Sequence, residues 1–143
     1  MGSEMCIRDS SELAVTAMRK VPQVIMPFPG GVVRSGSKVG SKYKTLPAST
    51  NDRYCPTLKG VVDSALSAEV GAVLEIVIDG LTADAISEAT RVGIRAACKP
   101  GRAGGILAIT AGNYGGNLGP YHFKLREILA PGRRSRERSR AAS

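Results

Sequence analysis

Residues 70–98 read VGAVLEIVIDGLTADAISEATRVGIRAAC, and this stretch decides the fold. Its first ten residues are mostly apolar around a lone acid, Glu75, which predicts a strand that Gly80 ends. From Thr82 onwards, apolar residues recur at helical spacing, with Thr82 placed as the N-cap. The run Lys99-Pro100-Gly101 then stops the helix. A strand followed directly by an amphipathic helix is therefore the predicted centre of the fold.

Further elements are predicted on both sides of this centre. Helical spacing of apolar residues predicts a helix over residues 11–20, with Ser10 or Ser11 as its cap. A short apolar run broken by prolines predicts one strand around residues 24–26. After the central helix, another strand is predicted over residues 105–110.

The order of these elements predicts the fold class. A weaker helical pattern covers residues 58–66, and residues 121–129 are predicted to form a final strand or short helix. Helix and strand followed by strand, helix and strand indicate an α+β fold, a ferredoxin-like split βαβ lobe lacking its first strand. Because that strand normally lies inside the sheet, its loss predicts unpaired backbone groups and an open slot.

Charge is unevenly distributed along the chain. The 143 residues carry a formal net charge of +8, and residues 132–143 contain five arginines but a single glutamate. Residues 130–143 hold too few large apolar side chains for a core and are predicted to be a disordered Arg-rich tail. The body is only mildly basic.

Cysteine and histidine usage bounds the chemistry. Cys6, Cys55 and Cys98 show no CxxC spacing, so a disulfide framework or a zinc site is not expected. His122 is the only histidine, which leaves too few members for a metal cluster or a His-based triad, and we interpret it as structural. No run approaches the roughly 18 apolar residues of a membrane helix. The composition predicts a cytoplasmic protein with no metal and no membrane partner.

The first ten residues have an unusual reading. Met5–Ser10 can be back-translated into the transposon end used in sequencing-library preparation. We therefore predict that residues 1–10 are adaptor-derived; the alternative is an ordinary variable N-terminus. An adaptor-derived segment carries no information about the fold.

A segment rich in glycine, serine and basic residues, 30–44, is the first candidate for chemistry. Glycines let the backbone approach a ligand closely, while hydroxyls, amides and cations suit carboxylates or phosphates. It is not a P-loop, because Ser37 follows Gly36 where a lysine is needed. The alternative interpretation is a solvated basic loop.

Two further candidates are Glu75 and the segment 111–119. On the solvated face of a sheet, Glu75 is a surface residue; facing a cleft, it becomes a usable general acid or base. The Asn- and Gly-rich segment suits a tight connection, or an amide-lined wall for a polar ring.

Long runs of the sequence resemble one enzyme family, the formylmethanofuran–tetrahydromethanopterin formyltransferases. The resemblance extends over residues 11–129, and its motifs occur in the family's order. They are Pro27–Lys44, Ala48–Asn51, Glu75–Leu81, Glu88–Ile94 and Ile109–Gly116.

The resemblance implies a fold and an oligomer. The family's subunit is similar to two fused ferredoxin-like lobes, and several subunits associate, with a homotetramer expected for the full-length protein. Residues 11–129 correspond to the C-terminal (distal) lobe without its first strand, while the tail departs from the family pattern. A fragment of this kind is expected to be inactive alone.

The resemblance also implies formyl transfer from N-formylmethanofuran to N5 of tetrahydromethanopterin, in methanogenesis or methylotrophic formaldehyde oxidation. These C1-carrier coenzymes are substrates; no prosthetic group is expected, and other subunits of a formyltransferase/hydrolase complex are further partners. Glu75 matches the family's acid and is the expected catalytic residue. The expected substrate-binding residues are Arg34, Ser35, Gly36, Ser37, Lys38, Ser41, Lys42, Asn113, Tyr114 and Gly115.

The alternative is a ferredoxin-like RNA-binding module, because the Arg-rich tail suits phosphates. Modules of that class stack bases on aromatic side chains of their central strands. The predicted strands 74–78 and 106–109 carry no aromatic residue, so nucleic acid is not an expected partner.

Overall fold

A computed structural model describes residues 4–35, 44–45, 52–112 and 120–130. It contains three α-helices: α1 (Glu4–Met18), α2 (Ala83–Cys98) and α3 (Leu125–Leu129). Its strands are β1 (Val24–Ile25), β2 (Val33–Arg34), β3 (Leu74–Glu75) and β4 (Asp79–Gly80). The chain divides into two compact units, residues 1–108 and 109–143, of which the first holds every element except α3. The predicted α+β class is confirmed.

The central helix α2 forms where the sequence predicts it. The Thr82 side-chain oxygen accepts a hydrogen bond from the Ala85 backbone N–H at 3.1 Å, which caps one of the amides that the first turn leaves unpaired. Small residues recur every four positions along its buried face, namely Ala85, Ala89, Gly93 and Ala97. The helix therefore presents a flat stripe to its neighbour.

Helix α1 starts earlier than predicted. Ser10 does not cap it, since Ser10 lies inside the helix, is fully buried and donates its hydroxyl hydrogen to the Gly104 carbonyl at 3.1 Å. Ser11 is also internal, and its hydroxyl donates to the Ile7 carbonyl one turn back at 2.8 Å. The cap prediction was wrong because both hydroxyls find carbonyl acceptors within the folded unit.

The core lies where α1 packs on α2. Ala14, Met18, Ala89 and Ala97 form its centre. A Cβ added at Gly93 would overlap Met18, whose Cγ would be 2.9 Å away, so the helices approach too closely for a side chain there. Partly buried apolar residues complete the cluster: Val21, Val24, Met26, Ile76, Ile78 and Ile106.

Two short antiparallel ladders lie beside these helices. Strand β1 pairs with β4, aligning Val24 with Gly80, and β2 pairs with β3, aligning Val33 with Glu75. The single strand predicted over residues 70–79 is thus divided in two. The reason lies in the partner segment, where a 3₁₀ turn at Pro29–Gly31 interrupts the pairing.

Other sequence predictions need correction. The strand predicted over residues 105–110 is not found among the described residues. A strand requires a hydrogen-bonded partner, and no described segment pairs with residues 105–110. The weak helical pattern over 58–66 gives a short 3₁₀ turn, Pro56–Leu58, and then bends, because Gly60 and two β-branched valines disfavour a helix. In the second unit, the short helix predicted within 121–129 is α3, where Lys124 and Glu127 form an ion pair at 3.6 Å.

The cap of α2 gives a first testable prediction. Replacing Thr82 with Ala should lower the free energy of unfolding by about 1 kcal/mol, because the Ala85 amide loses its acceptor. Urea denaturation of the chain measures the change. Thr82→Ser keeps the oxygen and serves as the matched control; equal losses in both variants would contradict a role for the cap.

Candidate functional site

Glu75 lies on β3, directly opposite Val33 of β2. The Ser35 backbone N–H extends this pairing by donating to the Val73 carbonyl at 3.1 Å. The pairing brings Glu75 beside the start of the segment 30–44, which is rich in glycine, serine and basic residues. The sequence predicted this segment as a candidate site but did not predict that it lies next to Glu75. The structure therefore joins two of the predicted candidates in one strand pair.

The sequence left open whether Glu75 faces solvent or a cleft, and its position in the structure is intermediate between the two. Successive side chains of a strand alternate between faces, and Ile76 and Ile78 pack on the helical core. Residues 76–78 lie between β3 and β4, and alternation continued along this run places Glu75 and Val77 away from that core. Glu75 is half-buried there, whereas Val77 is 38% exposed. Glu75 is thus neither packed into the helical core nor fully exposed to water.

Two of the predicted substrate-binding residues are described by the structure. Arg34 is exposed, next to Val33 on β2, and its guanidinium pairs with the Glu4 carboxylate of α1. Ser35 is buried and follows directly. The other predicted binding residues lie outside the described ranges: Gly36, Ser37, Lys38, Ser41, Lys42, Asn113, Tyr114 and Gly115.

A cavity of about 320 Å³ opens between the first turns of α1 and strand β2. On the α1 side its wall carries Glu4, Arg8 and Glu12, which are spaced one helical turn apart. The other wall consists of Pro29, Gly30, Val32, Val33, Arg34 and Leu74.

The charges of this cavity largely neutralise one another. Arg8 Nε lies 3.1 Å from Glu12 Oε1, while Glu4 pairs with Arg34. Sequence reasoning missed the α1 wall because it set the first ten residues aside; the spacing of Glu4, Arg8 and Glu12 was the available signal. Arg34 thus lies at the point where the cavity meets the strand pair of Glu75.

Other classes of site receive no support from the described part of the chain. Within it, no group of three His, Cys, Asp or Glu side chains is placed to hold a metal ion. None of the described helices is long and apolar enough to cross a membrane. Strands β1 to β4 carry no aromatic side chain on which a base could stack.

A family model described as "FTR, proximal lobe" matches residues 3–128. The match includes part of the segment that the sequence analysis set aside, and its description calls the lobe proximal where we expected the distal label. The origin of residues 1–10 stays a prediction.

Two similar proteins, one bacterial and one archaeal, carry the same name. A formylmethanofuran–tetrahydromethanopterin formyltransferase of Methylobacillus flagellatus is 68% identical over 119 residues, which are 83% of this chain and 39% of the relative. An enzyme of the same name from Methanocaldococcus jannaschii is 54% identical over 124 residues, 84% of this chain and 40% of the relative. The chain thus spans about two fifths of the length of these relatives.

Two solved structures match the fold. The formyltransferase/hydrolase complex from Methylorubrum extorquens, in complex with methylofuran, matches with a TM-score of 0.79 and 52% identity over 92% of this chain and 42% of that one. The formyltransferase of Methanosarcina barkeri gives a TM-score of 0.71 and 42% identity, over 89% and 42% of the two chains. The chain belongs to the formylmethanofuran–tetrahydromethanopterin formyltransferase family.

Proposed function

We propose that the full-length protein containing this chain transfers a formyl group from N-formylmethanofuran to N5 of tetrahydromethanopterin. The observation that carries the proposal is the family match over residues 3–128, which includes Glu75 and the strand paired with it. The names of the relatives supply the two carriers. Nothing favours the RNA-binding alternative.

The proposed reaction is an acyl transfer between two amines. Nitrogen N5 of the acceptor attacks the formyl carbon, a tetrahedral oxyanion forms, and the bond from that carbon to the methanofuran nitrogen then breaks. One proton leaves N5 and one proton joins the departing amine. Such a reaction requires close positioning of the amines, stabilisation of the oxyanion and a group that moves the proton.

Glu75 is the proposed proton-moving group. In its protonated form it donates a hydrogen bond to the oxyanion and then passes the proton to the departing amine, regaining one from N5. Its half-buried position supports this role, because partial removal of water strengthens such hydrogen bonds. No metal and no prosthetic group takes part in the proposal.

Basic residues of the segment 30–44 are the proposed anion-binding groups. Both carriers bear carboxylates, and the pterin carrier also bears a phosphate, so Arg34, Lys38 and Lys42 have complementary partners. Hydroxyl and backbone groups of the same segment, with residues 113–115, are proposed to complete the binding surface. These binding residues are Ser35, Gly36, Ser37, Ser41, Asn113, Tyr114 and Gly115.

Replacing Lys38 and Lys42 together with Ala tests this assignment. We expect KM to rise about thirtyfold for a carrier that both lysines bind, with little change in kcat, because two contacts of about 1 kcal/mol each would be lost. The measurement uses a chimera, in which this chain replaces the matching 119 residues of the Methylobacillus relative. Lys20 and Lys99, both exposed, are changed to Ala as the control pair. An unchanged KM for both carriers would remove the lysines from the binding surface.

The proposal extends to the type of lobe that the chain forms. We take residues 11–129 to be a ferredoxin-like lobe that lacks its first strand, followed by an Arg-rich tail at 130–143. The alternation of helices with antiparallel strand pairs supports this, as does the separation of residues 105–110 from any described ladder.

Partners and location are proposed by analogy with the relatives. The Methylorubrum relative is named as one subunit of a formyltransferase/hydrolase complex, so the other subunits of such a complex are proposed partners, besides a homotetramer of the full-length protein. The proposed compartment is the cytoplasm.

The same chimera tests the function itself. We expect it to transfer the formyl group between the two carriers, whereas the relative without its matching segment should not. A folded chimera that binds both carriers and yields no N5-formyl product would contradict the proposal.

A further inference from the structure

The segment that leads into β3 is fixed by one lysine. Lys59 is partly buried, and its ammonium donates to the Ala68 carbonyl at 3.2 Å and to the Val70 carbonyl. Both acceptors lie on the approach to Glu75, the nearer of them five residues away. Lys59 therefore joins the middle of the 52–70 loop to its exit.

The rest of the loop provides a firm base for this contact. Arg53 also holds it: its Nε donates to the Asp63 carbonyl at 3.2 Å, while its own carbonyl accepts from the Ala65 amide at 2.9 Å. The Val61 and Val62 amides both donate to the Leu58 carbonyl, immediately before Lys59. The lysine thus projects from a segment that is held by its own hydrogen bonds.

Strand β3 needs such an anchor because its ladder is short. It has two residues, Leu74 and Glu75, and a slip of one residue would turn Glu75 to the helix-covered face. The Ser35 amide fixes the chain at Val73, and the Lys59 ammonium fixes it at Val70. These two bonds bracket the residues that enter the strand.

From this geometry we infer that Lys59 is a positioning residue for Glu75. By holding the carbonyls of Ala68 and Val70, it sets the register of β3 and hence the face on which the Glu75 carboxyl lies. The inference rests on the proposed function of Glu75, but it concerns a residue outside the proposed binding surface.

The test uses the full-length chimera described above. In Lys59→Met, which keeps the apolar stem and removes the donors, kcat should fall by about tenfold to a hundredfold, because small displacements of a reacting group have effects of this size. KM for both carriers should stay within about twofold, since binding does not use Lys59. Lys59→Arg retains charged donors and should recover most of kcat. Lys99→Met, at an exposed lysine, is the control and should leave kcat unchanged.

A double variant separates positioning from general stability. On a Glu75→Gln background, Lys59→Met should lower kcat by less than about twofold, because the group that it positions has already gone. An equal loss on both backgrounds, or an unchanged kcat in Lys59→Met alone, would overturn the inference. Should Lys59→Met fail to fold, Lys59→Gln is measured in its place. Its kcat should lie below that of Lys59→Arg, and a wild-type kcat in Lys59→Gln would also overturn the inference. Failure of the proposed role of Glu75 shows separately, as normal turnover in Glu75→Gln, and failure of the proposed transfer shows as a chimera that yields no N5-formyl product.

Discussion

Replacing Glu75 with Gln in the full-length chimera should lower kcat for formyl transfer by about 10²- to 10⁴-fold, the usual contribution of a general acid or base. Glutamine has the same shape and still forms hydrogen bonds, but it cannot release and regain a proton. KM for both carriers should change little, because the shape of the site is retained. Steady-state rates at varied concentrations of each carrier give both constants.

The matched control is Glu69→Gln. Glu69 is an exposed glutamate that precedes the same strand, and its loss removes an equal charge without reaching the sheet. Its kcat should equal that of the unchanged chimera. Near-normal turnover in Glu75→Gln, with the control behaving as expected, would remove Glu75 from the reaction.

The second large effect concerns the helix pair that supports the site. Ala89 is fully buried on the face of α2 that packs against α1, where small residues of α2 let the two backbones lie close. Ala89→Leu should therefore lower the free energy of unfolding by about 3 kcal/mol, the upper part of the range for overpacking, because two rigid helices must separate. Urea denaturation of the chain, followed by circular dichroism, measures the loss.

Ala83→Leu provides the comparison for that experiment. It makes the same exchange in the same helix, but at an exposed position in the first turn. Its free energy of unfolding should stay within about 0.5 kcal/mol of the unchanged chain. Equal stability of the two leucine variants would show that α1 and α2 do not pack as the structure has them.

The helices were more predictable than the strands, for a physical reason. Helix α2 carries its signals within its own sequence, namely the Thr82 cap, the four-residue stripe and the stop at Pro100. A strand depends on partners that are distant in sequence. The run at 70–79 was predicted as one strand, but only residues 74–75 and 79–80 pair. Where the pairing breaks depends on the 3₁₀ turn at Pro29–Gly31, more than forty residues before the break.

Tertiary contacts also override local signals at Ser10. A serine before an apolar helical pattern predicts a cap, but its hydroxyl instead bonds to the Gly104 carbonyl, 94 residues away. The sequence within α1 carries no sign of that partner.

The candidate site was predictable in part. Its acid, Glu75, stood out as a lone charge in an apolar run, and the resemblance to a family gave it a role. The pairing of Glu75 with Val33 and the hydrogen bonds from Lys59 could be seen only in the structure. Neither the register of the strand pair nor the carbonyl acceptors of Lys59 can be inferred from residue type. The charged wall of the cavity was missed because its helix began in a segment that had been set aside.

A crystal structure of the chimera with bound N-formylmethanofuran would test the role of Glu75 most directly. We predict that a Glu75 carboxyl oxygen lies within hydrogen-bond distance, about 3 Å, of the formamide nitrogen or oxygen of the carrier. A carrier bound at a distance, with the carboxyl of Glu75 directed into bulk water throughout the assembly, would contradict the mechanism.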